Sequence, residues 1–143
     1  MSTDADPLAE RIAPFPAHLG IRLVEKAAGR AVMELDLQPH MFNVWDAGHG
    51  GVIMTLLDAT LSMAARTMDP NAAGALTVEM KVSFIGMASG TLRAEARCLH
   101  RGRSIAFCEG QVHDSAGELI ASASGTYMVR TQRRAAPGGQ VRA

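Results

Sequence analysis

This sequence of 143 residues is poor in aromatic side chains and carries no net charge. Aromatic residues make up 4% of the chain, and 14 basic residues balance 14 acidic ones, so neither a base-stacking surface nor a basic patch for nucleic acid is expected. Cysteine is scarce too. Cys98 and Cys108 lack metal-ligand spacing, which predicts reduced packing residues and no metal site.

Long apolar runs are missing as well. No segment is long enough to span a bilayer and no charged-then-apolar leader is seen, so we expect a cytoplasmic protein without membrane contact. The length fits one domain with a sizeable core. We expect a tail with a short helix (8–12) over residues 1–16, the domain over 17–130, and a disordered tail over 131–143.

The most informative segment that is present runs over residues 49–66. It opens on Gly50 and Gly51 and stays apolar for about five turns, which predicts a helix. Asp58 is its only charge before Arg66. The polar residues fall at steps of three and four, in one narrow line formed by Thr55, Asp58 and Ser62. A helix of this kind is predicted to be buried nearly all round.

Asp58 is costly in such a helix, because an unpartnered carboxylate in an apolar interior loses several kcal/mol of hydration. Asp58 is therefore predicted to take part in chemistry. The alternative is a half-exposed helix in which Asp58 only contacts water. At the helix N-terminus, Gly50 and Gly51 form a candidate oxyanion site or only a tight turn. Gly50 and Asp58 are eight residues apart, about 12 Å along the axis. If both act on one carbonyl, they come from two chains of a homodimer.

The flanking segments read as antiparallel strands, because apolar and polar residues alternate along them. Two strands precede the helix, over 21–27 and 31–37, and four follow it, over 76–84, 91–100, 104–113 and 118–130. The strand after the helix has one apolar face, formed by Leu76, Val78, Met80, Val82 and Phe84. The last strand places Tyr127 on its covered face. A sheet that curls around a long helix gives an α+β roll.

A loop over residues 38–48 joins the second strand to the helix. It is long for a plain connection and rich in hydrogen-bonding side chains, which favours a functional loop. Asn43 and His49 are its candidate functional residues. The alternatives are turn formation for Asn43 and a capping role for His49.

The order of a strand, a loop with Asn43, then His49-Gly50-Gly51, then a long helix with Asp58, and then strands resembles the hotdog-fold thioesterases. The resemblance is closest to the phenylacetate-pathway (PaaI-like) acyl-CoA thioesterases and covers residues 19–129. It implies a hotdog fold, in which an antiparallel sheet of five to six strands wraps the central helix. Residues 46–48, Asp-Ala-Gly, depart from the small-residue-then-Leu pattern of that family.

The resemblance implies hydrolysis of an acyl-CoA or aryl-acyl-CoA thioester, with no cofactor beyond the coenzyme A of the substrate. The Gly50 amide would polarise the carbonyl with support from Asn43, and His49 would steady the loop. Asp58 of the other subunit would act as general base or nucleophile. Thr77 matches the position of a hydroxyl that places water.

Further residues are expected to bind substrate. Ser62 matches a hydroxyl that a related branch of the family uses, Gly51 is the second glycine of the motif, and Thr55 lies on the polar line of the helix. Arg101 and Arg103 are candidate contacts to the phosphates of coenzyme A. The alternative is that they belong only to a solvated turn. The nine methionines suggest an adaptable apolar pocket. Family members are often tetramers, so we expect a homodimer at least and a homotetramer by resemblance.

Two other functions stay open at this stage. One is a non-catalytic acyl-CoA-binding or regulatory module on the same fold, although a pure binder gains nothing from a buried carboxylate. The other is a hydratase or dehydratase, which needs a histidine within a proton's reach of the helix acid. His49 is nine residues ahead of Asp58, at the wrong end of the helix for this chemistry.

Overall fold

A computed structural model of the chain describes residues 12–131. Its elements, in chain order, are α1 (Pro14–Leu19), β1 (Arg22–Ala27), β2 (Arg30–Asp36), a short 3₁₀ turn (Pro39–Met41), α2 (Gly50–Arg66), β3 (Ala72–Phe84), β4 (Thr91–Arg101), β5 (Ile105–Asp114) and β6 (Leu119–Thr131). The predicted order of two strands, a long helix and four strands is confirmed.

The six strands form one antiparallel sheet in the order β1-β2-β4-β5-β6-β3. This confirms the predicted α+β architecture, since α2 lies against one face of the sheet. β1 and β3 are the two edges. The edge at β3 is long, with 13 residues against six in β1.

The central helix α2 packs its apolar side on the sheet. Its buried residues are Ile53, Leu56, Leu57, Thr60, Leu61, Met63, Ala64 and Ala65. On β5, a Cβ at Gly110 would lie 2.7 Å from Leu61 Cδ1 of the helix and 2.8 Å from the backbone oxygen of Glu95 on β4, so the close packing here requires glycine. The prediction of burial nearly all round is wrong for the single chain. The sheet covers only one side, and Met54, Thr55 and Asp58 lie on a flank that is exposed or partly exposed.

A β-bulge at Val78 changes the face pattern that the sequence predicts for β3. The pairing with β6 shifts between Thr77 and Glu79, which leaves Val78 as the extra residue. The single apolar face is therefore wrong, because Leu76 and Val78 are 57% and 56% exposed while Met80 packs against the core. A bulge reverses the alternation, and here it directs Thr77 toward α2.

The N-terminal prediction was only partly testable. The short helix expected at 8–12 lies outside the described residues except for Ile12, which is not helical. A helix, α1, begins at Pro14. The first amides of a helix have no acceptor within it, so a proline there loses no hydrogen bond. The domain boundary placed at residue 17 falls inside α1, and residues 132–143 lie outside the described part.

Candidate active site

Asp58 lies in the middle of α2, on the flank that faces β3 and β6. Its Oδ1 accepts two hydrogen bonds, from Thr77 Oγ1 at 2.7 Å and from the Tyr127 hydroxyl at 3.0 Å. Both donors are neutral, and no cation among residues 12–131 pairs with Asp58. Within the same residues, no group donates to Oδ2. The carboxylate is thus fixed through one oxygen and open at the other.

The structure brings together Asp58 and Thr77, two residues selected from the sequence. Thr77 belongs to the polar set of the alternating pattern, which an unbroken strand would turn away from the helix. The bulge at Val78 explains why it faces Asp58 instead.

Tyr127 is a residue of this cluster that sequence reasoning placed only in the core. Its side chain is fully buried. Burial raises the pKa of its hydroxyl well above the ordinary value, and the negative charge of Asp58 and the hydrogen bond to it add to this effect. One signal for its role was present in the sequence. It is the only tyrosine, and a buried tyrosine hydroxyl requires a hydrogen-bond partner.

At the N-terminus of α2, His49 is the capping residue. Its Nδ1 accepts from the Gly51 amide at 2.9 Å, so Nδ1 carries no proton in this arrangement. The Gly50 amide donates to no acceptor among residues 12–131 and is available to a ligand. The Phe84 ring lies beside it, since a Cβ at Gly50 would be 3.4 Å from Phe84 Cε1.

Asn43 holds the loop before the helix. Its Oδ1 accepts from the Trp45 and Ala47 amides at 2.9 and 3.2 Å, which is the turn-forming alternative stated above. Asp46 sits in the same loop with φ 57°, a left-handed conformation that aspartate tolerates better than most residues. Among the described residues, Asn43 makes no hydrogen bond to His49, whose amide donates to Met41 O instead. The two residues therefore shape the loop separately.

The remaining predicted residues make no hydrogen bond or ion pair with Asp58. Thr55 donates its hydroxyl to Gly51 O at 2.8 Å within the helix, and Ser62 is partly buried one turn past Asp58. Arg101 pairs with Asp69 at 3.8 Å, with its side chain 14% exposed. Arg103 is exposed in the turn before β5.

The cavities described in the single chain lie elsewhere. One of about 260 Å³ lies between the end of α2 and the neighbouring ends of β1 and β3, and another lies over β4 and β5 on the opposite face of the sheet. No predicted catalytic residue lines either one. Among residues 12–131, no three His, Cys, Asp or Glu side chains cluster as a metal site, and no helix is long and apolar enough to cross a membrane.

Comparison with known proteins identifies the family to which this arrangement belongs. The family model described as "Thioesterase superfamily" matches residues 48–121, just over half of the chain, and this range contains Gly50, Asp58 and Thr77. A protein of Saccharolobus solfataricus that is provisionally named an esterase is 31% identical over 119 residues, which cover 82% of this chain and 84% of the relative.

Two further similarities bear on the fold and the chemistry. The 1,4-dihydroxy-2-naphthoyl-CoA hydrolase of Listeria monocytogenes is 25% identical over 120 residues, covering 81% of this chain and 95% of that protein. The PaaI protein from the phenylacetic acid degradation operon of E. coli superposes with a TM-score of 0.76 at 21% identity, covering 82% of this chain and 85% of that chain. The chain therefore has the hotdog fold of PaaI, belongs to the thioesterase superfamily and is a thioester hydrolase.

Proposed function

We propose that the protein hydrolyses acyl-CoA or aryl-acyl-CoA thioesters to the free acid and coenzyme A. The observation that carries this proposal is Asp58, a carboxylate on an apolar helix with one oxygen held by two hydroxyls and the other open. The name of the Listeria relative, a naphthoyl-CoA hydrolase, supports a coenzyme A thioester as the substrate class.

In the proposed reaction the Gly50 amide, at the positive end of α2, donates to the carbonyl oxygen as negative charge develops there. As general base, Asp58 takes a proton from water while the water oxygen bonds to the carbonyl carbon. The C–S bond then breaks, and the thiolate leaves with that proton. As nucleophile, Oδ2 bonds to the carbonyl carbon, the C–S bond breaks, and the thiolate leaves and takes a proton from solvent. Water then hydrolyses the resulting mixed anhydride, which releases the acid and restores the Asp58 carboxylate.

The complete site is proposed to lie between two subunits. Gly50 and Asp58 are eight residues apart on the same helix, about 12 Å, so they cannot both reach one carbonyl within a chain. The edge strand β3 supports pairing with a second copy, because it is long and exposes Leu76 and Val78 beside Thr77. An uncovered apolar edge of this kind favours strand pairing with another chain.

A thiol-release assay with a panel of aliphatic and aryl acyl-CoAs tests the activity. We expect Asp58→Asn to lower kcat by at least about 100-fold, as for loss of a general base or nucleophile. Asp36→Asn is the matched control, since Asp36 also accepts from a threonine hydroxyl at 2.7 Å but lies on the opposite face of the sheet. A full rate in folded Asp58→Asn would show that the catalytic assignment is wrong. Ligand binding without turnover of any substrate would favour the binding module.

Light scattering after size exclusion tests the interface. Val78→Lys puts a charge on the β3 edge and is expected to give monomers without activity, because each site then lacks its partner. Val24→Lys is the control on the opposite edge, where Val24 is 46% exposed on β1. A monomeric wild-type protein with full activity would overturn the shared site.

Other expectations from the sequence remain proposals. These are the homotetramer built from two dimers, contact of Arg101 and Arg103 with coenzyme A, and a cytoplasmic location. The exposed position of Arg103 suits such a contact better than the ion-paired Arg101 does. The hydratase alternative gains no support, because no histidine among residues 12–131 makes a hydrogen bond or ion pair with Asp58.

A further inference from the structure

Two strands each supply one donor to the same oxygen of Asp58. Thr77 comes from β3 and Tyr127 from β6, and the two residues are also paired in the strand register. An aspartate carboxylate rotates freely about its last torsion when it is unbound, so either oxygen can face outward. Two donors from a rigid sheet remove that freedom. Oδ1 then faces the sheet and Oδ2 faces away from it.

The sheet is built to receive the Tyr127 ring. Gly125, two residues earlier on the same face of β6, leaves space for it, since a Cβ there would lie 2.8 Å from Tyr127 Cε2 and 3.2 Å from its hydroxyl oxygen. The other contact of the hydroxyl is Met80 Sδ at 3.8 Å, and a thioether is a weak acceptor. The strong acceptor for this buried hydroxyl is therefore Asp58.

From this geometry we propose that Tyr127 is a positioning residue for thioester hydrolysis. With Thr77 it occupies Oδ1 of Asp58 and so directs Oδ2 to the reacting atoms. A cation in place of the tyrosine would hold the carboxylate in a charge-neutralising ion pair. Neutral hydroxyls fix its orientation and leave its negative charge available to a water or a carbonyl carbon. This inference rests on the proposed role of Asp58.

The ionisation of Tyr127 agrees with a positioning role. Burial, the charge of Asp58 and the hydrogen bond to it all raise the pKa of the tyrosine. The hydroxyl therefore keeps its proton over the pH range in which an enzyme works, and it donates rather than exchanging protons. Cys108 on β5 is the other titratable group that affects Tyr127, and burial keeps it neutral as well.

Steady-state kinetics of Tyr127→Phe test the inference, because phenylalanine keeps the ring and removes only the hydroxyl. We expect kcat to fall by about tenfold or more, the effect of one hydrogen bond to a charged group, with KM nearly unchanged. Met80→Leu, which removes the other contact of the hydroxyl, is the control and is expected to keep the wild-type kcat and KM.

The possible outcomes separate this inference from the proposed function. Wild-type kcat in Tyr127→Phe, together with inactive Asp58→Asn, would overturn the positioning role and leave the proposed function standing. An active Asp58→Asn would remove the proposed function itself. An equal loss in Met80→Leu and Tyr127→Phe would reduce Tyr127 to a packing residue.

A spectroscopic test does not depend on activity or on the folding of Tyr127→Phe. Because Tyr127 is the only tyrosine, the tyrosinate absorption of the intact protein reports on it alone. We expect this band to develop at lower pH in Asp58→Asn than in wild type, since the amide carries no charge that opposes ionisation. Asp36→Asn is expected to titrate like wild type. Identical titrations of wild type and Asp58→Asn, with circular dichroism showing both proteins folded across the band, would show that the tyrosine does not face Asp58 in solution.

Discussion

The two faces of the sheet each hold a carboxylate that accepts from a threonine hydroxyl at 2.7 Å. On the helix-covered face the pair is Asp58 and Thr77, and on the outer face it is Asp36 and Thr91. The second partner differs. Asp36 also accepts from Arg22 at 3.1 Å, whereas the corresponding partner of Asp58 is a tyrosine. The same threonine–aspartate hydrogen bond therefore accompanies a carboxylate that an arginine neutralises on the outer face and a carboxylate without a cation on the helix-covered face.

On the outer face of β3, Glu79 accepts from Thr126 at 3.0 Å and forms no ion pair among residues 12–131. The arginines and glutamates of β2, β4 and β5 on this face follow the pattern of Asp36 and form ion pairs between neighbouring strands, as in Arg30–Glu95 at 2.8 Å and Arg97–Glu109 at 2.5 Å. Pairs as exposed as these contribute little to stability. The helix carboxylate Asp58 instead forms no ion pair among residues 12–131. This contrast supports the proposal that the charge of Asp58 is used in chemistry, and the changes described next test it.

The largest effect is expected from Gly125→Ala on the covered face of β6. Alanine usually stabilises by about 0.4–1 kcal/mol through the unfolded chain. Here its Cβ would meet Tyr127 Cε2 at 2.8 Å and Leu61 Cδ2 at 3.3 Å. Overpacking costs about 1–3 kcal/mol and should dominate. Chemical denaturation is expected to show a less stable variant, and the displaced hydroxyl should lower kcat.

Ser124→Ala is the control for this substitution, because Ser124 is the adjacent residue on the exposed outer face. It is expected to unfold at the wild-type denaturant concentration. Equal stability of Gly125→Ala and Ser124→Ala would mean that the covered face is not packed tightly around the tyrosine.

The position of Gly125 also illustrates what could be predicted from sequence. The helix over residues 50–66 and all six strands could be predicted because their apolar residues repeat with the periods of helix and strand. Tyr127 was placed on the correct face by the same alternation. Its partner could not be predicted, because the contact joins residues 69 positions apart. The available clue was Gly125, which lies two residues before the only tyrosine and therefore on the same face of the strand.

The orientation of Thr77 could not be predicted from the pattern at all. Leu76, Val78 and Met80 alternate without a break, and a bulge in an edge strand leaves no mark in such a sequence. Family resemblance selected Thr77, while its meeting with Asp58 depends on the bulge. The partner subunit's contribution to the site is a prediction that a single chain leaves untested.

The next effect in size is expected from Thr77→Val, compared with Thr91→Val on the outer face. Valine keeps the shape and removes the hydroxyl donor. We expect kcat to fall by about tenfold in Thr77→Val, as for one hydrogen bond to a charged group, and to stay at the wild-type value in Thr91→Val. Thr77→Ser should restore much of the rate. Equal rates in Thr77→Val and Thr91→Val would contradict a functional difference between Asp58 and Asp36.

A smaller effect concerns the neighbouring cysteines, which are paired in register on β4 and β5. Burial raises the pKa of Cys108 to about 12, with a further contribution from Cys98. The folded protein therefore keeps a proton that the unfolded chain releases near pH 9. The contribution of Cys108 to the free energy of unfolding is therefore fully present below about pH 9 and is lost as the pH rises toward 12. Iodoacetamide at neutral pH is expected to modify Cys98 first, as measured by peptide mass. Preferential labelling of Cys108 would contradict its burial.

The smallest effect is expected from Asp36→Asn. The hydrogen bond from Thr91 and then the contacts with Arg22 hold the pKa of Asp36 below its usual value of 3.8. A lowered folded pKa stabilises the protein above 3.8, and the contribution is lost as the pH falls below 3.8 and through the folded pKa. Thermal unfolding of wild type and Asp36→Asn should therefore differ slightly at neutral pH and converge once the pH is below the folded pKa of Asp36. A difference that persists in acid would mean that Asp36 acts through packing rather than charge, and its contrast with Asp58 would lose its electrostatic basis.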